Sequence, residues 1–292
     1  IGRQALYTNT TGHSNVAIGP NALVSNTTAD HNVAIGRNAL TANTTGTENV
    51  AVGHQSLAAA TTPNANTAVG YYALEDTTTG ANNTACGRES LNKNTTGNQN
   101  TACGKDSLQF NTTGSSNTAV GNQAMEGTSG SSTGGANVAV GNQAAQVLTT
   151  GENNVCVGHY AGVALTTGGD NVIIGKQAGQ SMTTGGNATV MGWAAGRDNT
   201  SGAHLTAIGR GAGLSNTTGN YNTCIGSNAF QDNTTGSNNV AVGYNALVAN
   251  TTASNNTAVG YEALVANTTG NSNTAVGYGA LDASQSSSGN TA

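Results

Sequence analysis

The sequence is poor in charge, in aromatic rings and in proline. Of its 292 residues, 7% are charged and 4% are aromatic, and only 2 are proline. An average globular chain is about 25% charged. The formal net charge of −5 is weak for this length, which argues against nucleic acid as the main partner. No apolar run approaches the roughly 20 residues of a membrane helix, so we expect no membrane insertion by this segment.

The same composition argues against two kinds of non-globular chain. Disordered chains combine high charge with few apolar residues, whereas here charge is low and the apolar residues recur at fixed places. The 42 glycines lack the period of three that a collagen helix requires.

A short phrase of small residues is repeated along the chain. Residues 32–57, "NVAIGRNALTANTTGTENVAVGHQSL", contain it twice, 17 residues apart. The glycine that closes the phrase returns with a step of 17, except for one step of 20 between Gly121 and Gly141. The extra residues lie in "EGTSGSSTGGAN" (126–137), where a repeat fold tolerates a surface loop. We therefore predict one tandem-repeat domain over residues 1–292, with a single 20-residue turn near 122–141.

The repeat length and the residue types predict an all-β fold. Seventeen residues are too few for a helical hairpin and suit one turn of a β-solenoid. Alternating Val, Ile and Thr in "NTAVG" favours a strand, followed by a bend at Gly and a second short strand in "xxAL". The "NTTG" phrase carries turn-forming residues.

Both faces of the predicted strand are apolar or very small. Val16 and Ile18 point one way, and Ala17 and Gly19 point the other. One face should line the coil's own thin interior, with Ala and Leu of the "xxAL" segment. The other should contact another chain. Three chains about an axis form the simplest bundle of this kind.

One region departs from the repeat. Between residues 145 and 213 the Leu of "xxAL" is replaced by Ala145, Gly162, Gly179, Gly196 and Gly213. Three residues later an apolar side chain appears in three of these turns, as Leu148, Leu165 and Met182. We interpret this as a core anchor that has moved within the turn.

Four cysteines replace small apolar residues of the phrase. Cys86 and Cys103 stand for the Val before Gly, and Cys156 and Cys224 stand for the Ala before that. We expect small buried hydrophobic side chains at all four positions. Because Cys86 and Cys103 occupy equivalent places on adjacent turns, a stacked disulfide between them is an open alternative.

A family resemblance follows from these phrases. "NVAIGPNAL" (15–23) and "NVAIGRNAL" (32–40) resemble the head repeats of trimeric autotransporter adhesins. "ALVANTTGNSNTAVGYGAL" (263–281) is similar to repeats of bacterial and viral tail-fibre-like proteins. The resemblance covers the whole chain, and it implies a trimeric left-handed β-roll on an extracellular fibre, at a cell or virion surface.

No motif in the sequence indicates catalysis. The five histidines show no metal-ligand spacing, and no recurrent carboxylate pair or Ser/His/Asp grouping is present. We therefore expect no enzyme activity, no catalytic or metal residues and no cofactor.

The residue after the marker Gly forms a column of large side chains, which we call the stripe. It holds six of the chain's eight Lys and Arg residues, its only Trp and four of its Tyr. One interpretation is a contact strip for sugars, anionic polymers or a neighbouring fibre. The other is a solvated or inter-protomer column where large side chains find room. The candidate residues are Arg37, His54, Tyr71, Arg88, Lys105, Lys176, Trp193, Arg210, Tyr244, Tyr261 and Tyr278.

A second column consists of asparagines that begin Asn-Thr-Thr. Stacked Asn and Thr side chains can form hydrogen-bonded ladders, which is the structural interpretation. Each is also a formal N-glycosylation sequon, and a Thr array that binds ice is a third alternative. The residues are Asn9, Asn26, Asn43, Asn94, Asn111, Asn216, Asn233, Asn250 and Asn267.

Together these features predict a structural segment of an extracellular filament, with a carbohydrate- or ice-binding solenoid as the alternative. The expected partner is the chain itself, as a homotrimer, with surface glycans as a further possibility. Residues 290–292 followed by residues 1–2 read "NTAIG", so we also expect end-to-end continuation.

Overall fold

The computed structural model describes residues 1–128 and 132–292. The loop predicted at 126–137 falls partly on Ser129, Gly130 and Ser131, which lie outside the described residues. The chain divides into two compact units, Ile1–Thr150 and Gly151–Ala292, and each is described by itself.

The regular elements of the described residues are three-residue strands, and none is a helix. The first unit contains β1 to β8, which are Val16–Ile18, Val33–Ile35, Val50–Val52, Thr67–Val69, Thr84–Cys86, Thr101–Cys103, Thr118–Val120 and Val138–Val140. The second contains β9 to β16, which are Val155–Val157, Val172–Ile174, Thr189–Met191, Thr206–Ile208, Thr223–Ile225, Val240–Val242, Thr257–Val259 and Thr274–Val276. No helix able to cross a membrane occurs in the described part of the chain.

Within each unit every strand pairs in parallel with the next one along the chain. Val33 of β2 lies opposite Val50 of β3, exactly one repeat away. The longer turn keeps this register, because Thr118 of β7 lies opposite Val138 of β8. Each unit is therefore a parallel β-solenoid of about 17 residues per turn, which confirms the predicted fold class.

The second strand predicted in "xxAL" is wrong. Asn21 and Leu23 have φ angles of 59° and 51°, and left-handed backbone cannot continue an extended strand. The segment instead forms a turn that stacks on its equivalent in the next turn, with Leu23 N–H donating to Ala39 O at 3.1 Å. Left-handed residues within each turn allow 17 residues to close a coil.

The marker glycine is required by both conformation and space. Gly19 has a φ of 129°, which side-chain-bearing residues rarely adopt. A Cβ at Gly19 would lie 2.6 Å from the carbonyl oxygen of Gly36 in the next turn. The bend therefore allows the close stacking of successive turns only with glycine.

The core of each unit is narrow and made of small side chains. The middle strand residues, such as Ala34 and Ala51, are fully buried, and so are Ala39 and Leu40 of the following turn. The flanking strand residues, such as Ile35, are partly exposed on the opposite face. One strand face thus lines the coil's own interior, as expected from the sequence.

Core volume is redistributed where the Leu of "xxAL" is missing. Leu148, Leu165 and Met182 are buried, in the turn position that Asn occupies elsewhere. A Cβ at Gly162 would lie 3.1 Å from Cδ1 of Ile173, and Ile173 stands where most strands have Ala. Larger neighbours therefore fill the space that the missing Leu leaves, which keeps the interior close-packed.

The four cysteines fall into two pairs with opposite environments. Cys156 and Cys224 are buried at the middle strand position, as predicted, whereas Cys86 and Cys103 are exposed at the third position. The expectation of burial is wrong for this second pair within a single chain, because the third strand residue points away from the coil. All four are free thiols.

Burial changes the titration of the first pair. It raises the pKa of Cys156 from its ordinary value of 9.0 to about 12, and it also raises the pKa of Cys224, because the thiolate would lose its hydration. The folded chain therefore holds these protons at pH values where the unfolded chain releases them.

We predict that this difference makes folding sensitive to alkali. The stability contributed by the buried thiols is complete below pH 9.0 and is lost as the pH rises towards about 12. A Cys156→Ala/Cys224→Ala variant, which has the residue usual at this position, should lose less stability over that range. Urea unfolding at a series of pH values measures this, and identical slopes for the two proteins would contradict it.

Candidate interaction surfaces

The outer strand face is formed by the first and third residues of each strand. In the first unit the first position holds Val or Thr, and the third holds Val, Ile or Cys. In the second unit the same positions hold Val, Thr, Ile or Met. No charged residue stands in either column in the described strands, so two uncharged rows run along each unit.

Many side chains of this face are open to solvent in the single chain. Exposed fractions are 45% for Val16, 41% for Ile18, 38% for Val69 and 37% for Met191. Soluble monomers rarely expose long contiguous apolar patches, and such patches mark interaction sites. A parallel sheet is also normally covered on both faces. The outer face therefore has the character of an interface.

The structure places the stripe residues at the bend that follows each strand. Arg37, Tyr71, Arg88 and Lys105 are exposed in the first unit, and His54 is half-buried. In the second unit Lys176, Trp193, Arg210, Tyr244, Tyr261 and Tyr278 are exposed. Each unit thus carries a row of large side chains in successive turns.

Many of the rings in these rows stack on one another. Tyr244 and Tyr261 have ring centroids 5.2 Å apart, and Tyr261 and Tyr278 lie 5.1 Å apart with an interplanar angle of 6°. His54 stacks on Tyr71 at 5.3 Å. The ring faces of Tyr261 are therefore covered by its neighbours, and the row presents ring edges and hydroxyl groups to solvent.

The cationic members of the stripe have local partners. Arg210 lies 5.2 Å from the Trp193 ring centroid, within cation–π range. Arg88 pairs with Glu89 at 2.6 Å, and Lys105 pairs with Asp106 at 2.8 Å. The hydrogen bond to Glu89 raises the pKa of Arg88. Exposed pairs like these contribute little stability, and they reduce the positive charge available to an anionic ligand.

The asparagines of the Asn-Thr-Thr column form ladders in the interior. Asn43 Nδ2 donates to Gly46 O at 3.0 Å and to Asn26 Oδ1 of the preceding turn at 3.2 Å. Asn26, Asn43, Asn94, Asn111, Asn216, Asn233, Asn250 and Asn267 are buried, and Asn9 is half-buried. A glycan would be linked to the same Nδ2 atom, so the folded geometry favours the ladder over glycosylation.

The two threonines of each Asn-Thr-Thr turn have different roles. Thr44 donates its hydroxyl to Thr61 O in the next turn at 3.2 Å. Thr45 is exposed. The turns therefore offer one exposed threonine column rather than a two-dimensional threonine lattice.

A second asparagine ladder was not identified from the sequence. It consists of the Asn that begins each "NxAVG" phrase, and Asn66 is a fully buried example. Asn66 Nδ2 donates to Gly80 O at 2.9 Å, and its Oδ1 accepts the N–H of Asn83 at 2.9 Å. The signal was the recurrence of Asn directly before a strand, where a turn former would otherwise be variable.

No catalytic or metal-binding cluster emerges from the geometry. Among the described residues, no group of three or more His, Cys, Asp or Glu side chains is placed to hold a metal ion. The most extensive chemical features are therefore repetitive surfaces and ladders.

No protein-family model matches the chain, and no match was found among curated proteins or solved structures. Function is therefore inferred from the surfaces and from the repeat motifs.

We predict that the two kinds of Asn differ sharply in their contribution to stability. Replacing Asn66 with Ala leaves the buried Gly80 carbonyl and Asn83 N–H without that partner, and should cost about 2–4 kcal/mol. Asn98 is exposed and accepts the Ala81 N–H at 2.8 Å. Because water can replace this bond, Asn98→Ala should cost less than about 1 kcal/mol. Equal losses in urea unfolding would show that the buried ladder has no special role.

Proposed function

We propose that this chain is a structural segment of an extracellular fibre, in which three chains pack together through their outer strand faces. The observation that carries the proposal is the uncharged outer face, which has Val, Ile, Thr, Cys or Met at each flanking position of the described strands. Burying such a face provides the largest gain in apolar contact that the surface offers.

The second copy is the partner that fits this face best. Successive strands of a sheet lie about 4.8 Å apart, and the face repeats with every turn. A partner with the same rise can match the side chains turn by turn along the whole length. Another copy of the chain has this rise by construction, and cyclic symmetry allows the contacts to close.

The repeat motifs support the same arrangement. Their resemblance to adhesin heads and tail-fibre repeats implies trimers in the form of left-handed β-rolls outside the cell or on a virion. In such a bundle the outer strand faces lie inward, and the stripe at the adjacent bends lies towards the rim. The segment then supplies length and a repetitive, weakly charged surface.

The carbohydrate- and ice-binding alternatives have weaker support from the geometry. A sugar ring packs on an open aromatic face, and the stacking in the Tyr244, Tyr261 and Tyr278 row covers most of these faces. The exposed threonines of the turns form a single column. The fibre proposal uses the most extensive uncharged surface and is therefore preferred.

We predict that Val69→Asp prevents assembly. Val69 is 38% exposed in the single chain, so the isolated coil can accept the carboxylate with little loss. In the bundle the same carboxylate would be buried without a partner, which costs several kcal/mol. In sedimentation equilibrium the unmodified chain should have about three times its mass of 28.7 kDa, and the variant should have the mass of one chain.

The matched control is Thr79→Asp, which places the same charge on an exposed turn residue of a neighbouring part of the coil. It should assemble normally, and both variants should keep the β-type circular dichroism. An unmodified protein that sediments as a single chain would contradict the proposal. So would a Val69→Asp variant that assembles as fully as Thr79→Asp.

A further inference from the structure

Two thiols interrupt the outer strand face in the first unit. Cys86 ends β5 and Cys103 ends β6, and the two residues lie directly opposite each other in the parallel pair. Val69 and Val120 hold the equivalent positions on the strands at either side. The two cysteines are exposed, so the thiols belong to the surface that the proposed bundle buries.

A bond between these two thiols of one chain does not suit the strand geometry. Paired residues on adjacent parallel strands hold their Cα–Cβ bonds side by side, so the Cβ atoms keep the strand spacing of about 4.8 Å. A disulfide brings the Cβ atoms to about 3.5–4.5 Å. Closing it within one chain would require the two turns to move together, against the stacking of the Gly87 and Gly104 bends.

The proposed bundle offers the thiols another partner. Three chains related by a three-fold axis bring three Cys86 thiols to one level and three Cys103 thiols to the next. Three thiols at a single level cannot all pair, because their number is odd. Two adjacent levels supply six, and these can form three equivalent bonds.

We infer that Cys86 of each chain forms a disulfide with Cys103 of the neighbouring chain, which joins the three chains covalently. This inference rests on the proposed three-chain assembly. It also explains in physical terms why cysteine stands on two successive turns in the same column. The other two cysteines take no part, because Cys156 and Cys224 are fully buried within the chain.

The bond forms by exchange with a small disulfide such as oxidised glutathione. The Cys103 thiolate attacks one sulfur of the oxidant and releases one glutathione thiolate, which takes up a proton. Cys86 of the neighbouring chain, as its thiolate, then attacks the protein sulfur of the mixed disulfide and releases the second glutathione. Two protein thiols are oxidised to one disulfide, and one glutathione disulfide is reduced to two thiols.

The test uses the full chain, oxidised with glutathione disulfide at low protein concentration and then alkylated to block remaining thiols. Non-reducing gel electrophoresis should show a product of three chains that dithiothreitol returns to one. Cys86→Val and Cys103→Val each leave three thiols at one level, so each should give at most a two-chain product. Cys156→Ala/Cys224→Ala is the matched control, and it should give the three-chain product.

Two results would overturn the inference. One is complete loss of the Cys86 and Cys103 thiols with only a single-chain band, which would place the disulfide within one chain. The other is a three-chain product from Cys86→Val. Sedimentation of the reduced protein separates the two proposals. A reduced trimer that forms no cross-link defeats the disulfide alone, whereas a reduced single chain defeats the assembly and the inference with it.

Discussion

The equal length of successive turns is the constraint on which the rest of each unit depends. Backbone groups in the turns, as well as in the strands, find their partners one repeat away. The buried amides follow the same rule, since Asn49 N–H donates to Asn32 Oδ1 at 3.0 Å. A shift of one residue would leave these buried groups unpaired, and each would cost about 1–3 kcal/mol. The one longer turn keeps this register between Val120 and Val140.

This constraint also explains the unusual composition. Glycine is required where one bend lies against the next, and small residues are required where the coil is thin. Asparagine is favoured because its amide both donates and accepts, so a column of asparagines can pair with itself indefinitely. Charged side chains would repel one another at a spacing of about 4.8 Å. Their scarcity in the strands leaves an apolar outer face that only another surface can cover.

Much of the fold follows from the periodicity of the sequence. The strand positions, the inward-facing Ala and the relocated anchors at Leu165 and Met182 can all be derived from the repeat. The left-handed backbone at Leu23 could not be, because leucine has no preference for it and adopts it only under the stacking of neighbouring turns. For this reason a second strand was predicted where a turn occurs.

The surfaces were predictable only in part, because position in a repeat does not give side-chain orientation. The stripe was evident as a column, but the mutual stacking that covers the faces of Tyr261 depends on rotamers. Cys86 and Cys156 differ by a single step within the strand phrase, yet one lies on the outer face and the other is buried. That step reverses the direction of the side chain, and here it separates an available thiol from an inert one.

The central claim is that the outer strand faces meet one another in a three-chain fibre. Cryo-electron microscopy of the purified segment tests it most directly, because one reconstruction gives both the layer spacing and the cross-section. We expect layers about 4.8 Å apart and a section containing three coils, with Val69 and its equivalents facing the centre. A section with one coil whose outer strands face solvent would contradict the account.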